Sequence, residues 1–339
     1  VTALDTPFCD ALGVDSPVVQ APIGSATCPE LAAAVSDAGG LGTLAVTWRE
    51  LDETKAVIRR TRERTDSPFG VNLVLDERTK RIDTATHLNA CLDAGAEIFS
   101  FSFGDASSYV DAVHDAGGVA LQTVGSAAEA RAAVDAGVDI VVAQGWEAGG
   151  HVQSEVATMP LVPRVVDAVP ETPVVAAGGI ADGRGVAAAL ALGADGAWLG
   201  TRFVASEEAV VHGRYRRRVA ETDETGTYYS DLFDKGWPGM PHRVLRNSTV
   251  ERWEAAGQPA PGDRPDEDGV VATDAEGNAI ERYDEALATP DVTGDVEAMA
   301  LFAGQSAGLV GDARPAGRIV ADLVDETEQT LDRLAGASA

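Results

Sequence analysis

Lysine is almost missing from this chain: of 26 basic side chains only Lys55, Lys80 and Lys235 are lysines, set against 54 acidic residues. The resulting net charge of −28 repels a phosphate backbone, so nucleic acid is not an expected partner. Cysteine is scarce as well. Cys9, Cys28 and Cys91 are an odd number with no close-spaced pair, which argues against a disulfide scaffold and against a cysteine-built metal site. No apolar run approaches the roughly 20 residues that span a bilayer, and the opening VTALDTPFCD lacks a basic segment followed by an apolar one. A cytoplasmic protein with no membrane partner is therefore expected. HExxH and clustered Asp/His sets are lacking, so a catalytic metal is not expected.

The acidity itself has two readings. A merely acidic protein is one; adaptation to high salt, as in extreme halophiles, is the one preferred here. Self-repulsion among so many like charges destabilises the compact state at low ionic strength and is screened in strong salt.

What the chain does contain is a repeating rhythm. Its 339 residues, 45% hydrophobic, suit one large barrel or a core domain with a smaller addition. Short β-branched runs recur at residues 16–22, 41–46, 69–75, 97–102, 118–124, 139–145, 173–179 and 196–202. Between them lie alanine-rich periodic segments such as 29–39, 126–137 and 182–193, each with a helix-starting residue and a terminal glycine. Strands that read as nearly continuous apolar runs are buried on both faces and need helices outside them. Eight such units predict a TIM (β/α)₈ barrel, with an open doubly wound sheet as the structural alternative.

The rhythm breaks after Phe203. A helix is expected over 203–218, an exposed acidic excursion over 257–285 with a hairpin near Val270 to Ile280, and returning helices over 295–310 and 321–337. The expected organisation is a barrel over 1–218, a small, mostly helical, lid-like insertion over 219–296, and a helical return to the barrel over 297–339.

In a barrel, function belongs to the loops after the strands. AAGGIADGRG (176–185) and LGT (199–201) put glycines after the seventh and eighth strands, where barrels repeatedly bind phosphate. Backbone N–H groups approach a phosphate closely there, and a short helix end adds its dipole. Tight turns alone are the competing explanation. QGWEAGGHV (144–152) places His151 in a glycine-rich loop at the sixth strand's end, which favours a proton-transfer role over a packed structural histidine. Glu147 either orients His151, caps a loop, or is simply solvated. Trp48, Phe101, Phe103 and Trp146 are either pocket walls or core. His87, His114 and His212 lie in helical stretches and look like packing or surface residues; His242, in the insertion, has no local signal.

Taken in order, QAPIGSATCPELAAAVSDAGGLGTL (20–44), FGVNL (69–73), AQGWEAGGHV (143–152), AAGGIADGRGVAAALALGADGAWLGTRF (176–203), GWPGMPHRVLRN (236–247) and AGQSAGLV (303–310) resemble the nitronate monooxygenase family, formerly 2-nitropropane dioxygenases. That family's barrel is shared with a flavin enoyl-acyl-carrier-protein reductase. The resemblance implies noncovalent FMN. It would run Ala21, Pro22, Ile23 and Gly24 along the flavin ring, with Asn72, Gln122 and Gln144 hydrogen-bonded to the flavin or its ribityl chain. Gly149 and Gly150 would approach the flavin, Gly178, Gly179, Gly200 and Thr201 would hold its phosphate, and Gln305 and Ser306 would reach it from the insertion side. His151 matches the catalytic histidine. The implied reaction oxidises alkyl nitronates or nitroalkanes with molecular oxygen to carbonyl compounds and nitrite; homo-oligomerisation stays open. Two positions depart from the pattern: Ile23 stands where Met is common, and Gln153 and Ser154 stand where a glycine is common. The alternatives are an NAD(P)H-dependent FMN reductase of enoyl thioesters or quinones, and a noncatalytic flavin-binding protein.

Overall fold

In the computed structural model, which describes residues 4–336, the eight apolar runs become eight parallel strands. They are Val18–Gln20, Gly42–Ala45, Phe69–Val74, Ile98–Ser102, Val119–Val124, Ile140–Gln144, Val174–Ala177 and Gly196–Leu199. The eighth pairs back onto the first, with Val19 opposite Trp198. The seam between the first and second closes through a bridge from Val19 to Leu41, where the Leu41 N–H donates to Val18 O at 2.9 Å and the Gln20 N–H donates to Leu41 O at 3.0 Å. Closure makes this a TIM barrel and removes the open-sheet alternative.

Alternation along the strands sorts side chains into two layers. Val19, Leu41, Ile98, Leu121, Ile140, Val142, Val175 and Trp198 form one cluster together with Phe8, Cys9 and Leu12 of the helix Pro7–Leu12. That helix is capped by the Thr6 hydroxyl, which accepts the Cys9 N–H, and it is held to the start of the eighth strand by a 2.7 Å bond from the Thr6 hydroxyl to Asp195 O. It plugs the N-terminal mouth of the barrel, a role the sequence did not announce. Burying Phe8 completely contributes about 2–3 kcal/mol of apolar transfer energy. Only the C-terminal mouth is left for chemistry.

The second layer lies between the strands and the helices Pro29–Asp37, Leu51–Arg62, Thr84–Asp93, Ser107–Asp115, Ala127–Asp135, Thr158–Val166 and Gly183–Ala191. The eighth outer helix comes late: Ala316–Gly336 packs against Gly183–Ala191 on one side and Pro29–Asp37 on the other, burying Ile319, Val320 and Leu323. The chain between the eighth strand and this helix is an excursion over the C-terminal mouth.

Several local expectations are corrected within that excursion. The helix expected over 203–218 is split into Thr201–Val204 and Gly213–Glu221, with His212 acting as an N-cap that accepts the Arg214 N–H at 3.1 Å. Residues 295–310 form only two 3₁₀ turns, Val296–Ala298 and Gln305–Leu309. The stretch between them is extended because Phe302 bridges to Val244 and the Leu245 N–H donates to Leu301 O. Helical periodicity was present there, but sheet pairing satisfied the backbone first. Besides its helices the excursion carries two small sheets. One pairs Thr227–Ser230 with His242–Leu245 and then with Gly150–His151; the other joins the expected hairpin, Val270–Thr273 with Ala279–Glu281, to Thr293–Gly294.

Candidate active site

His151 sits on a two-residue strand, and its position is set by backbone pairing rather than by loop geometry alone. Gly150 and His151 lie opposite Arg243 and His242 of the insertion. The sixth strand fastens the same segment from below: the Gln144 amide donates to His151 O at 3.2 Å and accepts the Gln153 N–H at 2.8 Å. Around the imidazole stand Trp237, with ring centroids 4.3 Å apart, Phe302 at 5.5 Å, His242 at 5.6 Å and Phe103 at 6.4 Å. Of the four aromatic residues considered as walls, only Phe103 reaches His151. Phe101 is core and stacks on Tyr109, Trp48 is partly exposed and donates its indole N–H to Thr79, and Trp146 lies against the Arg243 guanidinium.

The carboxylate beside His151 is not Glu147. Glu147 accepts both the N–H and the hydroxyl of Thr158, at 2.8 and 3.0 Å, and so caps the helix Thr158–Val166. Its backbone carbonyl receives the Gln305 N–H. The acid facing His151 is Glu285, at the far end of the acidic excursion, with Oε2 3.3 Å from His151 Nε2. Both atoms are buried and neither makes a hydrogen bond of good geometry. No local signal in the sequence identified Glu285.

Trp237, the cover on His151, is fully buried and donates its indole N–H to Asp76 at 3.0 Å. Asp76 is held by Arg78, whose hydrogen bonds, joined by the one from Trp237, lower its pKa to about 2 against the opposing effect of burial. His242 is entirely enclosed. Its Nε2 accepts the Phe233 N–H at 3.2 Å and its Nδ1 lies 3.1 Å from Met240 O, a pattern that fits a neutral ring with the proton on Nδ1. Burial, reinforced by the nearby His151, lowers its pKa to about 3.

The glycine positions cluster on adjoining strand ends. Gly178 and Gly179 follow the seventh strand with φ of +101° and +77°, a region closed to most side chains. Gly200 follows the eighth strand, where an added Cβ would touch Ala21 Cβ at 3.6 Å, and the Ala21 N–H donates to Leu199 O. Among the described residues, no protein group accepts the N–H of Gly178, Gly179 or Gly200. Gly149 crosses Gly304 so closely that a Cβ on either would overlap the other's backbone. The Gly304 N–H also donates to the Thr201 hydroxyl at 2.9 Å, fastening the segment containing Gln305 and Ser306 to the end of the eighth strand. Ala21, Pro22, Ile23 and Gly24 line the exit of the first strand, half-buried.

The amides differ in what they leave free. Gln122 is spent within the protein, its Oε1 accepting the Ala106 N–H and its Nε2 donating to Gly104 O. Gln144 is likewise engaged at both ends, as above. Asn72 donates to Ser100 O at 3.1 Å and its Oδ1 accepts from no described group. The remaining histidines are structural: buried His87 meets Thr54 at 2.8 Å, and His114 pairs with Asp139 at the surface.

A closed parallel barrel with a histidine, a facing carboxylate and unused backbone donors at its C-terminal mouth defines a (β/α)₈ enzyme. The model of the nitronate monooxygenase family matches residues 5–326, and the chain belongs to that family; it is an oxidoreductase. A nitronate monooxygenase of Paraburkholderia phytofirmans is 34% identical over 367 residues, covering 95% of both chains. A (3aS,4S,5R,7aS)-5-hydroxy-7a-methyl-1-oxo-octahydro-1H-indene-4-carboxyl-CoA dehydrogenase of Mycobacterium tuberculosis is 39% identical over 254 residues, 74% of this chain and 69% of that one. Among solved structures, FabK from Thermotoga maritima superposes with a TM-score of 0.84 at 33% identity, over 98% of this chain and 99% of that one. A nitroalkane oxidase from Streptomyces ansochromogenes does so with a TM-score of 0.77 at 30% identity, over 98% and 100%.

Proposed function

We propose that this oxidoreductase is an FMN-dependent monooxygenase that converts alkyl nitronates or nitroalkanes, with molecular oxygen, to carbonyl compounds and nitrite. The observation that carries the reading is His151, held at the barrel mouth by sheet pairing, enclosed by aromatic rings, with its Nε2 lacking a well-formed hydrogen bond. A phosphate-bearing flavin fits the neighbouring strand ends, because among the described residues the N–H groups of Gly178, Gly179 and Gly200 have no protein acceptor. Thr201 would complete that phosphate cradle. Ala21, Pro22, Ile23 and Gly24 would lie along the flavin ring, and Asn72 offers its free Oδ1. Gly149, Gly150, Gln305 and Ser306 would approach from the insertion side. Gln122 and Gln144 would contact the flavin only by exchanging or sharing the bonds they already make.

Bound FMN would supply electron acceptance and delivery to oxygen. The chain's own contribution is proton transfer and enclosure. His151 takes the α-proton of a neutral nitroalkane, the electron pair of the broken C–H bond moves into a C=N bond, and the nitronate results. Trp237, Phe302 and Phe103 keep water from the imidazole, which strengthens each electrostatic contact there. The test is to purify the protein in high salt, identify any yellow chromophore, and compare oxygen uptake and nitrite release on propionate 3-nitronate with oxidation of NADH. His151→Ala is expected to reduce turnover of neutral nitroalkanes about 10²–10⁴-fold while keeping the flavin. Turnover near wild type would eliminate the base role.

A second reading, an NAD(P)H-dependent FMN reductase acting on an enoyl thioester or quinone, is favoured by the likeness to FabK and to the Mycobacterium tuberculosis carboxyl-CoA dehydrogenase. Rapid flavin reduction by NADH or NADPH without nitrite formation would select it. The net charge of −28 supports a further part of the proposal, adaptation to strong salt.

A further inference from the structure

We propose that Gln153 determines substrate size: acting through Phe103, it fixes the width of the His151 pocket and admits compact alkyl nitronates or nitroalkanes over ring-bearing ones. The substrate class rests on the nitronate-oxidising reading above; the width rests on geometry alone. Phe103 carries the first observation. It follows the fourth strand, and its ring stands edge-on to Trp237 at 5.0 Å and to His151 at 6.4 Å, so its position bounds the space beside the imidazole. Its backbone is left-handed, with φ of +57°. The other described non-glycine residues with positive φ, Gln258, Asp266 and Tyr283, all lie in the excursion, and Phe103 alone belongs to the barrel. A bulky side chain persists in that conformation only where its surroundings hold it.

The hold is Gln153. Its Oε1 accepts the Phe103 N–H at 3.2 Å, and its Nε2 donates to the Glu129 carboxylate at 2.5 Å. The amide fits only this way round: turned over, it would set a donor against the Phe103 N–H and an acceptor against the carboxylate. Glu129 is itself fixed at the start of the helix Ala127–Asp135, accepting the Gly125 N–H at 2.9 Å and the Ser126 hydroxyl at 3.1 Å. The backbone of residue 153 is fixed too. Its N–H donates to Gln144 Oε1, and a Cβ on Gly125 would lie 3.1 Å from Gln153 C and 2.9 Å from Ser154 Cα. One side chain thus ties together the exits of the fourth, fifth and sixth strands and joins the Phe103 wall to the segment that bears His151. Glycine or alanine at 153 could make none of these side-chain bonds.

The consequence is a wall that does not yield. Phe103 can move aside for a bulky group only by breaking its bond to Gln153, which a compact substrate never demands. A ring-bearing substrate therefore meets a clash, and discrimination arises from that repulsion rather than from added contacts to the compact one. Gln153 acts through Phe103; it is a positioning residue.

The test compares wild type, Q153M, F103A and the double variant F103A/Q153M on ethyl nitronate and cyclohexyl nitronate, each as kcat/KM. Q153M keeps the length of the side chain and removes its amide; Q153A gives the same comparison should Q153M fail to fold. The cyclohexyl-to-ethyl ratio is expected to rise about tenfold in Q153M, the scale of discrimination a pocket wall supplies. F103A is expected to raise it at least as far, and Q153M to add nothing in the F103A background, because the two residues act as one unit. A crystal structure of Q153M is expected to show Phe103 out of the left-handed region. A uniform loss on both substrates at constant ratio, a Q153M effect that persists in F103A, or a Phe103 that stays in place would each overturn the proposal. If wild type oxidises neither nitronate, the nitronate reading fails. The pocket's width is then read from the crystal structure and from calorimetric affinities for propionate and cyclohexanecarboxylate, inert anions shaped like the two nitronates: a ratio raised in Q153M sustains the role of Gln153, and a fixed ratio overturns it.

Discussion

Across the short sheet from His151, His242 shows how far enclosure alone changes an imidazole. In an unfolded chain it takes up a proton near its ordinary pKa of about 6.5. In the native protein burial, reinforced by His151, holds that event off until about 3. Between these values the unfolded state binds the extra proton, so acid favours unfolding. The stability tied to neutral His242 is present above about 6.5 and is lost as pH falls toward about 3, with a magnitude on the order of a few kcal/mol. Replacing it by Asn, a neutral side chain, is expected to flatten the pH dependence of urea-unfolding stability across that window while lowering stability at neutral pH. An unchanged slope would show that other groups carry the acid sensitivity. His151 itself was legible in the sequence, because glycines and a strand end precede it. Glu285 was not, since it reaches the site only through the fold of a long acidic excursion.

Among the elements, the crossing of Gly149 over Gly304 joins the insertion to the barrel. The two backbones approach within the space a Cβ would occupy, and the Gly304 N–H is bonded to Thr201. Gly149→Ala is therefore expected to push the segment at 303–306 off the eighth strand's end, destabilising the protein by about 1–3 kcal/mol. A thermal melt would register this, along with weaker flavin retention. A melt matching wild type would mean the crossing can open without cost. The same crossing explains why residues 295–310 read as a helix and did not form one. Their periodicity suits a helix, but a helix there would forfeit the Phe302–Val244 bridge and the Gly304 contact.

For the whole molecule, charge is the dominant feature. With 54 acidic and 26 basic side chains, most carboxylates have no cation to pair with. Repulsion among them is long-ranged at low ionic strength and falls away as the screening length shrinks from about 10 Å at 0.1 M to about 3 Å at 1 M. The melting temperature is expected to climb steadily as KCl rises into the molar range, and activity to fall when salt is dialysed away. A melting temperature independent of salt would refute high-salt adaptation and leave an ordinary acidic protein.

Much of the architecture was fixed by local chemistry. Apolar runs at regular spacing, glycines at helix ends and helix-starting residues pointed to eight βα units; the pairing of the eighth strand with the first, and the bridge between the first and second, decided a closed barrel over an open sheet. Those same signals located His151 and the glycines at the seventh and eighth strand ends. Tertiary structure alone decided which groups meet them. The helix Pro7–Leu12 became a plug, Glu147 became a helix cap, and Glu285, Trp237 and His242 came to surround His151. The physical reason is that strand pairing and close packing join residues far apart in the chain, and a one-dimensional pattern records what each segment prefers but not which partner it will find.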